Sequence, residues 1–337
     1  MTSGPVVVDR VVLPASEAAA WVERCRTEYE PAVLARGGPP AVVRWTSAGR
    51  PGTVTVTCEW HLADLATFWR TRVASTDPAV AAWWAATDAL ALDRERRVLA
   101  PAPVPTFAAP PDPGPRPDGV RAVVVGRPLT DPAAAVAGLG ALTDSIPGLL
   151  ASHAGLHLPG VVAPPGLGAD ACTWDLLLDH AARLDAVLAH DGVRALVEPG
   201  TAVVLEPIAA RAVAETAATV VKRTLLLSVR PDAPAASVAA LEADLAAMPG
   251  HIPAIRSWSL ARASGTGPWT HVWEQEFAER AGLTDDYMRH PFHWAVVDTW
   301  FDPQFPDHVV DPVLAHLSCE RPPSLGALCG GRPPDLA

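Results

Sequence analysis

One order of elements, read between residues 221 and 312, limits the folds open to this chain more than any other feature. "VKRTLLLSV", apolar through its centre, is a buried-type strand of the kind that two covered faces require. In "APAASVAALEADLAAMPG", Val238, Leu241, Leu245 and Met248 form a helical stripe that stops at Pro249 and Gly250. "AIRSWSLAR" alternates as a strand, a Gly-rich turn follows, and "PWTHVWEQEF" alternates again. A helical region comes next, and "PDHVVDPV" predicts a short last strand. The order is β-α-β-β-α-β, a ferredoxin-like unit.

The same order recurs upstream. "VRAVVVGRP", "PAAAVAGLGALTDSIPGLL", "SHAGLHLPG", "CTWDLLLDH" and "RLDAVLAHDGVRALVE" make a second copy. "VVVDRVVLP", "SEAAAWVERCRTEYEPAVLA", "AVVRWTS", "GTVTVTCEWH" and "TRVASTDPAVAAWW" make a fainter first one. The domain reading is therefore a degenerate unit at 1–99, a stiff Pro-rich linker at 100–119, and a second unit at 120–215. A third unit follows at 220–315, then a loose Pro/Gly-rich tail at 316–337. Each unit leaves one apolar sheet face to be covered. Two units packed sheet to sheet would close a barrel. The α+β fold class expected is thus tandem ferredoxin-like units forming dimeric α/β-barrel-type pairs. With three copies, either one pairs across a homodimer or it covers its sheet in another way.

Composition narrows the function. The 337 residues are 49% hydrophobic and 19% charged, enough for substantial cores. The net charge of −11, with basic residues spread along the chain, argues against nucleic acid. The N-terminus lacks a signal-peptide pattern, and no apolar run reaches membrane-spanning length. A cytoplasmic protein is expected. Cys25, Cys58, Cys172, Cys319 and Cys329 are widely spaced and read as reduced thiols. Lys222, the single lysine, is the one residue that could carry Schiff-base chemistry, a role not favoured for it.

"GPWTHVWEQEF" followed by "DDYMRHPFHWAVVD" resembles the Dabb family, the stress-responsive dimeric α/β-barrel domain, over roughly residues 221–312. That family includes a plant polyketide cyclase acting by aldol condensation and a plant hydroxynitrile lyase. The resemblance implies Tyr287 and His293 as catalytic residues and His271 as their third-strand partner. The family's first-strand His is replaced here by Arg223. In the second copy the motif decays: Val187 and Val193 stand for Tyr287 and His293, and Asp175 for His271. The first copy offers Ala74, Asp77 and Val80.

Imidazole, with a pKa of about 6.5, suits a base beside a carbonyl, and phenol, at about 10, suits a donor to the developing oxyanion. His290 precedes Pro291 and marks a helix break, which could turn Tyr287 and His293 toward one cavity. At period-two spacing Trp269, His271 and Trp273 would share a face, and with Trp294 they would line an aromatic hollow. His290 and Arg223 complete the expected substrate-binding set. The His290/His293 and His153/His157 pairs lack accompanying carboxylates, so no metal is expected. No phosphate- or dinucleotide-binding motif is present, so no cofactor is expected.

These residues predict a cofactor-independent acid/base enzyme acting on a carbonyl-bearing, polyketide-like or aromatic small molecule, by cyclisation, dehydration or lyase chemistry. Cofactor-free oxygenation of an aromatic and ligand binding without catalysis are the alternatives.

Overall fold

The structure, a computed structural model, describes residues 4–47, 49–73, 77–101, 118–168, 170–213 and 219–328. Most of the Pro-rich linker, Ala74, Cys329 and the last residues of the expected tail lie outside them. The chain divides into two compact units. One holds residues 1–106 and 291–312, the other 107–290 and 313–337.

The second unit contains an eight-stranded antiparallel sheet. Its strands from the second copy are β5 (Val120–Pro128), β6 (Leu149–Leu156), β7 (Cys172–Leu178) and β8 (Val197–Arg211). From the third copy come β9 (Val220–Val229), β10 (Ser257–Gly265), β11 (His271–Phe277) and β12 (Val310–Arg321). The order is β12-β9-β11-β10-β8-β5-β7-β6, so each copy keeps the ferredoxin-like arrangement and the two join through β10 and β8. Bridges His157–Cys319 and Val162–His316 bring the end of β6 and the loop after it back to β12 and close the barrel. Helices cover the outer face and side chains fill the inside. Every residue of β7 and β11 is accordingly buried, Asp175, Glu274 and Glu276 included, because both faces of these strands are covered.

Gly155 on β6 permits the closure, because a Cβ there would meet Cys319 Sγ at 2.7 Å. At the same seam His157 Nε2 lies 2.9 Å from Thr173 Oγ1. Burial lowers the His157 pKa to about 4. The unfolded chain binds this proton below pH about 6.5 while the folded chain does not, so stability falls as pH drops from about 6.5 to about 4. The loss attributable to this imidazole is about 3 kcal/mol across that window. Urea titrations at pH 7 and pH 5 should show the decline, and His157→Gln should flatten it. An unchanged slope in the variant would contradict this assignment.

β12 continues to Arg321, so the expected loose tail does not begin at 316. Beyond it, Ser324 N and Oγ and Leu325 N all donate to Glu276 Oε1, and Leu325 and Leu328 are fully buried.

In the other unit, β1 (Val6–Pro14), β2 (Val42–Ser47), β3 (Thr53–His61) and β4 (Asp93–Leu99) form a four-stranded sheet ordered β2-β3-β1-β4. Helical segments at 18–34, 65–72 and 78–90 cover one face, and segment 291–312 packs into the same core through Trp294 and Phe305. The opposite face sets charged pairs among Val6, Val8, Val12 and Leu99. Arg10–Asp93 at 2.8 Å, His61–Glu59 at 3.0 Å, Arg44–Glu59 and Arg97–Glu95 lie along it, each side chain but Glu59 more than a third exposed. Strand β4, "DRERRVL", charges the face that the other copies bury. The first copy therefore covers its sheet with solvated ion pairs. Since the second and third copies close their barrel within one chain, light scattering is expected to give a 35.3 kDa particle. A particle of twice that mass would show that this face finds a partner.

Among the described residues no helix is long and apolar enough to cross a membrane.

Candidate functional site

Asp9 sits on the helix-facing side of β1, 1% exposed. It accepts from Trp60 Nε1 at 2.9 Å and from Arg96 Nη1 at 2.7 Å. The Arg96 guanidinium lies 5.3 Å from the Trp84 ring centre and 5.6 Å from that of Phe305. Burial works against its charge, but Asp9 and its other neighbours outweigh that and hold the Arg96 pKa above the usual value. Tyr29, on a π-helical turn at Cys25–Tyr29, donates its phenol to Gln304 Oε1 at 2.6 Å. Burial pushes the Tyr29 pKa well up, although the Arg96 charge and hydrogen bond oppose the shift. The phenol therefore stays protonated throughout the neutral range.

Segment 291–312 completes this wall. Gln304 is fixed by Asp302, whose Oδ1 accepts from Gln304 N at 2.9 Å, and by Arg94, which donates to Gln304 O at 2.6 Å. Arg72 donates to Asp298 Oδ2 at 2.7 Å and approaches Asp302 at 3.6 Å. His293 Nε2 lies 3.5 Å from Asp298 Oδ1, and its ring is 6.0 Å from that of Trp69. Tyr29, Trp60, Phe68, Arg72, Arg96, Asp302, Gln304 and Phe305 line a cavity in this unit. It is small: a water centre can sample about 20 Å³ within it, room for an ordered water or two.

The residues expected from the motif are distributed differently. Tyr287 packs edge-on to Phe277 at 5.7 Å, and the Arg223 guanidinium lies 5.2 Å from its ring centre. Arg223 also donates to Gln275 Oε1 at 2.8 Å and to His316 Nδ1 at 3.2 Å. So Tyr287 and Arg223 are together. His271 starts β11 and pairs with Glu242 at 3.1 Å and Thr270 Oγ1 at 2.9 Å. Burial lowers its pKa despite the opposing Glu242. His271 and Phe277 stand at opposite ends of β11, roughly 20 Å apart at strand rise, so His271 and the Tyr287 ring do not converge. His290 is non-helical, and burial followed by the His251 charge lowers its pKa. The chain breaks at Pro291 as expected, but Tyr287 and His293 fall in different compact units.

The aromatic hollow also differs. Trp269 belongs to the barrel-interior cluster with Val123, Leu226 and Val272, and its Nε1 donates to Thr201 at 3.5 Å. Trp273 follows Val272 on the strand and faces the other way, 5.5 Å from Trp258. Trp269 precedes β11, so period-two spacing does not carry back to it. Trp294 packs on Phe68 at 5.5 Å. Strand register also moves one equivalence between copies. Asp175 follows Trp174 as Glu274 follows Trp273, while His271 and Cys172 both open their strands. Asp175 therefore matches Glu274 rather than His271. Asp9, Tyr29, Arg96 and Gln304 escaped the sequence reading. An apolar strand interrupted by Asp9 and Arg10, "VVVDRVV", is the available signal.

No curated protein matches the chain. Among solved structures, an anthrone oxidase-like protein shares 9% identity over 61% of this chain and 92% of its own, with a TM-score of 0.43. A mutant chlorite dismutase from Candidatus Nitrospira defluvii shares 9% over 63% and 95%, at 0.40. A dimeric protein of ferredoxin-like fold from Bacteroides fragilis shares 18% over 31% and 95%, at 0.23. Likeness at this level says nothing about activity. The third copy is more specific: residues 221–310 match the Stress responsive A/B Barrel Domain, Dabb, and carry that domain.

Proposed function

We propose that the chain is a cofactor-independent acid/base enzyme acting at the carbonyl of a small molecule, with its site in the cavity lined by Tyr29 and Arg96. The observation that carries this reading is a deeply buried, protonated phenol beside a buried guanidinium on one cavity wall. Two donors so placed stabilise negative charge developing on a carbonyl oxygen far better than they would in water. Asp302, in the same wall, is the carboxylate positioned to take the α-proton. The proton leaves carbon for Asp302, the electron pair moves to oxygen, and Arg96 and Tyr29, whose hydroxyl turns from Gln304 to the oxygen, hold the resulting enolate. His293, backed by Asp298, stands behind Arg72 and supports the wall. In this reading Tyr287, Arg223 and His271 serve the packing of the third copy. Cyclisation and lyase steps both begin with such a proton transfer, so the cyclase or lyase outcome is part of the proposal.

The experiment is deuterium exchange at the central carbon of pentane-2,4-dione in D2O, followed by NMR. This probe is a small dicarbonyl, and its binding requires the water-sized cavity to open. The expected result is exchange faster than buffer alone, proportional to protein and saturable in the diketone. Exchange at the buffer rate contradicts the reading. One observation favours ligand binding without catalysis: Tyr29, Gln304 and Asp302 are already hydrogen-bonded around a cavity of water size. Saturable binding of the diketone without exchange would support that second reading.

A further inference from the structure

The inner wall of the barrel carries charge at positions that recur by register. In each copy the third strand bears one buried tryptophan. Trp60 stands opposite Val7, Trp174 opposite Val124, and Trp273 opposite Leu225. The residue after the tryptophan points to the other face of the sheet. In the second and third copies it is Asp175 and Glu274. Three residues before the paired first-strand position stand Arg121 and Lys222, again on the inner face. By register each inner face thus offers one cation and one carboxylate, and the third copy adds Arg321, which bonds Asp175, and Glu276, which stands opposite Lys222.

These groups meet across the copies. Lys222 Nζ lies 2.5 Å from Asp175 Oδ2 and 2.5 Å from Glu274 Oε1, and Arg121 Nη1 lies 2.6 Å from Glu274 Oε2. None of the four side chains is more than 3% exposed. Burial alone would raise the Asp175 carboxyl, but Arg321, Lys222 and Arg121 outweigh it and hold it below its usual range. The first copy has neither group. Its equivalents are His61, 55% exposed, and Gly4, where a Cβ would lie 2.1 Å from Leu62 O.

We propose that Arg121, Asp175, Lys222 and Glu274 are the address by which the second and third copies choose each other as barrel partners, and that the first copy is excluded because it cannot present them. Buried ion pairs contribute little net stability compared with apolar packing, yet any pairing that strands one member is strongly disfavoured. Docking the first copy's sheet on the second copy's inner face would strand Arg121 and Asp175 against a glycine and a solvated histidine. The partner that fits is an inner face with its own cation and carboxylate. The one in the same chain wins by effective concentration.

The test uses the full chain. Lys222→Met leaves Asp175 and Glu274 facing each other, and the yield of one-chain particle should fall about tenfold or more. The fourfold variant Arg121→Met, Asp175→Asn, Lys222→Met, Glu274→Gln removes the address and leaves the wall without net charge. Arg321, which also bonds Asp175, keeps Glu276 as a neighbouring anion. This variant should unfold cooperatively, yet distribute between one-chain and larger particles in light scattering. A fourfold variant as uniformly one-chain as the native protein would overturn the proposal. So would one that fails to fold, because the charges would then serve stability rather than choice. A Lys222→Met protein indistinguishable from the native one would overturn it as well.

Discussion

Asp9→Ala is expected to cost the four-stranded unit about 3–5 kcal/mol of stability. Asp9 is 1% exposed and bonds both Arg96 Nη1 and Trp60 Nε1. Its removal leaves a guanidinium, itself 8% exposed, without its nearest counter-charge and an indole N–H without an acceptor. The second loss is about 1–3 kcal/mol by itself, and the first is larger because a buried cation cannot regain its hydration. Asp9→Asn should be nearly as damaging, since an amide can accept from Trp60 but does not neutralise Arg96. Adding Arg96→Met to Asp9→Ala should recover most of the loss by removing the stranded charge. Chemical denaturation of the three variants measures this. A loss below about 1 kcal/mol for Asp9→Ala would mean that the pair is far more hydrated than its burial indicates.

Tyr29→Phe is the second large effect, this time on activity. The substitution keeps the ring and its contacts, with Trp60 at 5.5 Å and Trp84 at 5.1 Å, and removes only the hydroxyl that bonds Gln304. Deleting one oxyanion donor from a preorganised site lowers the rate about 10²–10³-fold. Diketone exchange should fall by that factor, while stability changes by about 1 kcal/mol. The loss should lie in the turnover rate more than in the half-saturating concentration, because the hydroxyl bond strengthens as charge reaches the oxygen.

Strand and helix order was legible where burial is two-sided. β9 lies between helices and barrel interior, and the apolar centre of its sequence, Leu225 to Leu227, marks it as buried, whereas β11 carries Glu274, Gln275 and Glu276 and is legible by alternation instead. β12 was read too short, because a polar residue alternates with a buried one through "HLSCER" and its end abuts prolines. Spacing alone puts Trp269, His271 and Trp273 on one face. Spacing is informative only inside a strand, and Trp269 lies before β11.

The cavity was less legible for a different reason. Its phenol, carboxylates and arginines come from the first copy and from residues 302–305, more than 200 positions away. The Dabb motif drew attention to Tyr287 and His293 as neighbours within one repeat. Pro291 is where the chain passes from one compact unit to the other. A break at His290 followed from the proline. The destination of the chain beyond it depends on Phe305, Trp294 and Gln304 finding the first copy's core, and no local pattern encodes that.

The chain's two tyrosines allow the most direct test. Tyr29→Phe and Tyr287→Phe, each shown to be folded, are compared in the same deuterium-exchange assay. With the oxyanion held at the first copy's cavity, Tyr29→Phe loses about 10²–10³-fold and Tyr287→Phe stays within about twofold of the native rate. The opposite ranking, with Tyr287→Phe inactive and Tyr29→Phe unimpaired, would contradict the account and return the chemistry to the third repeat.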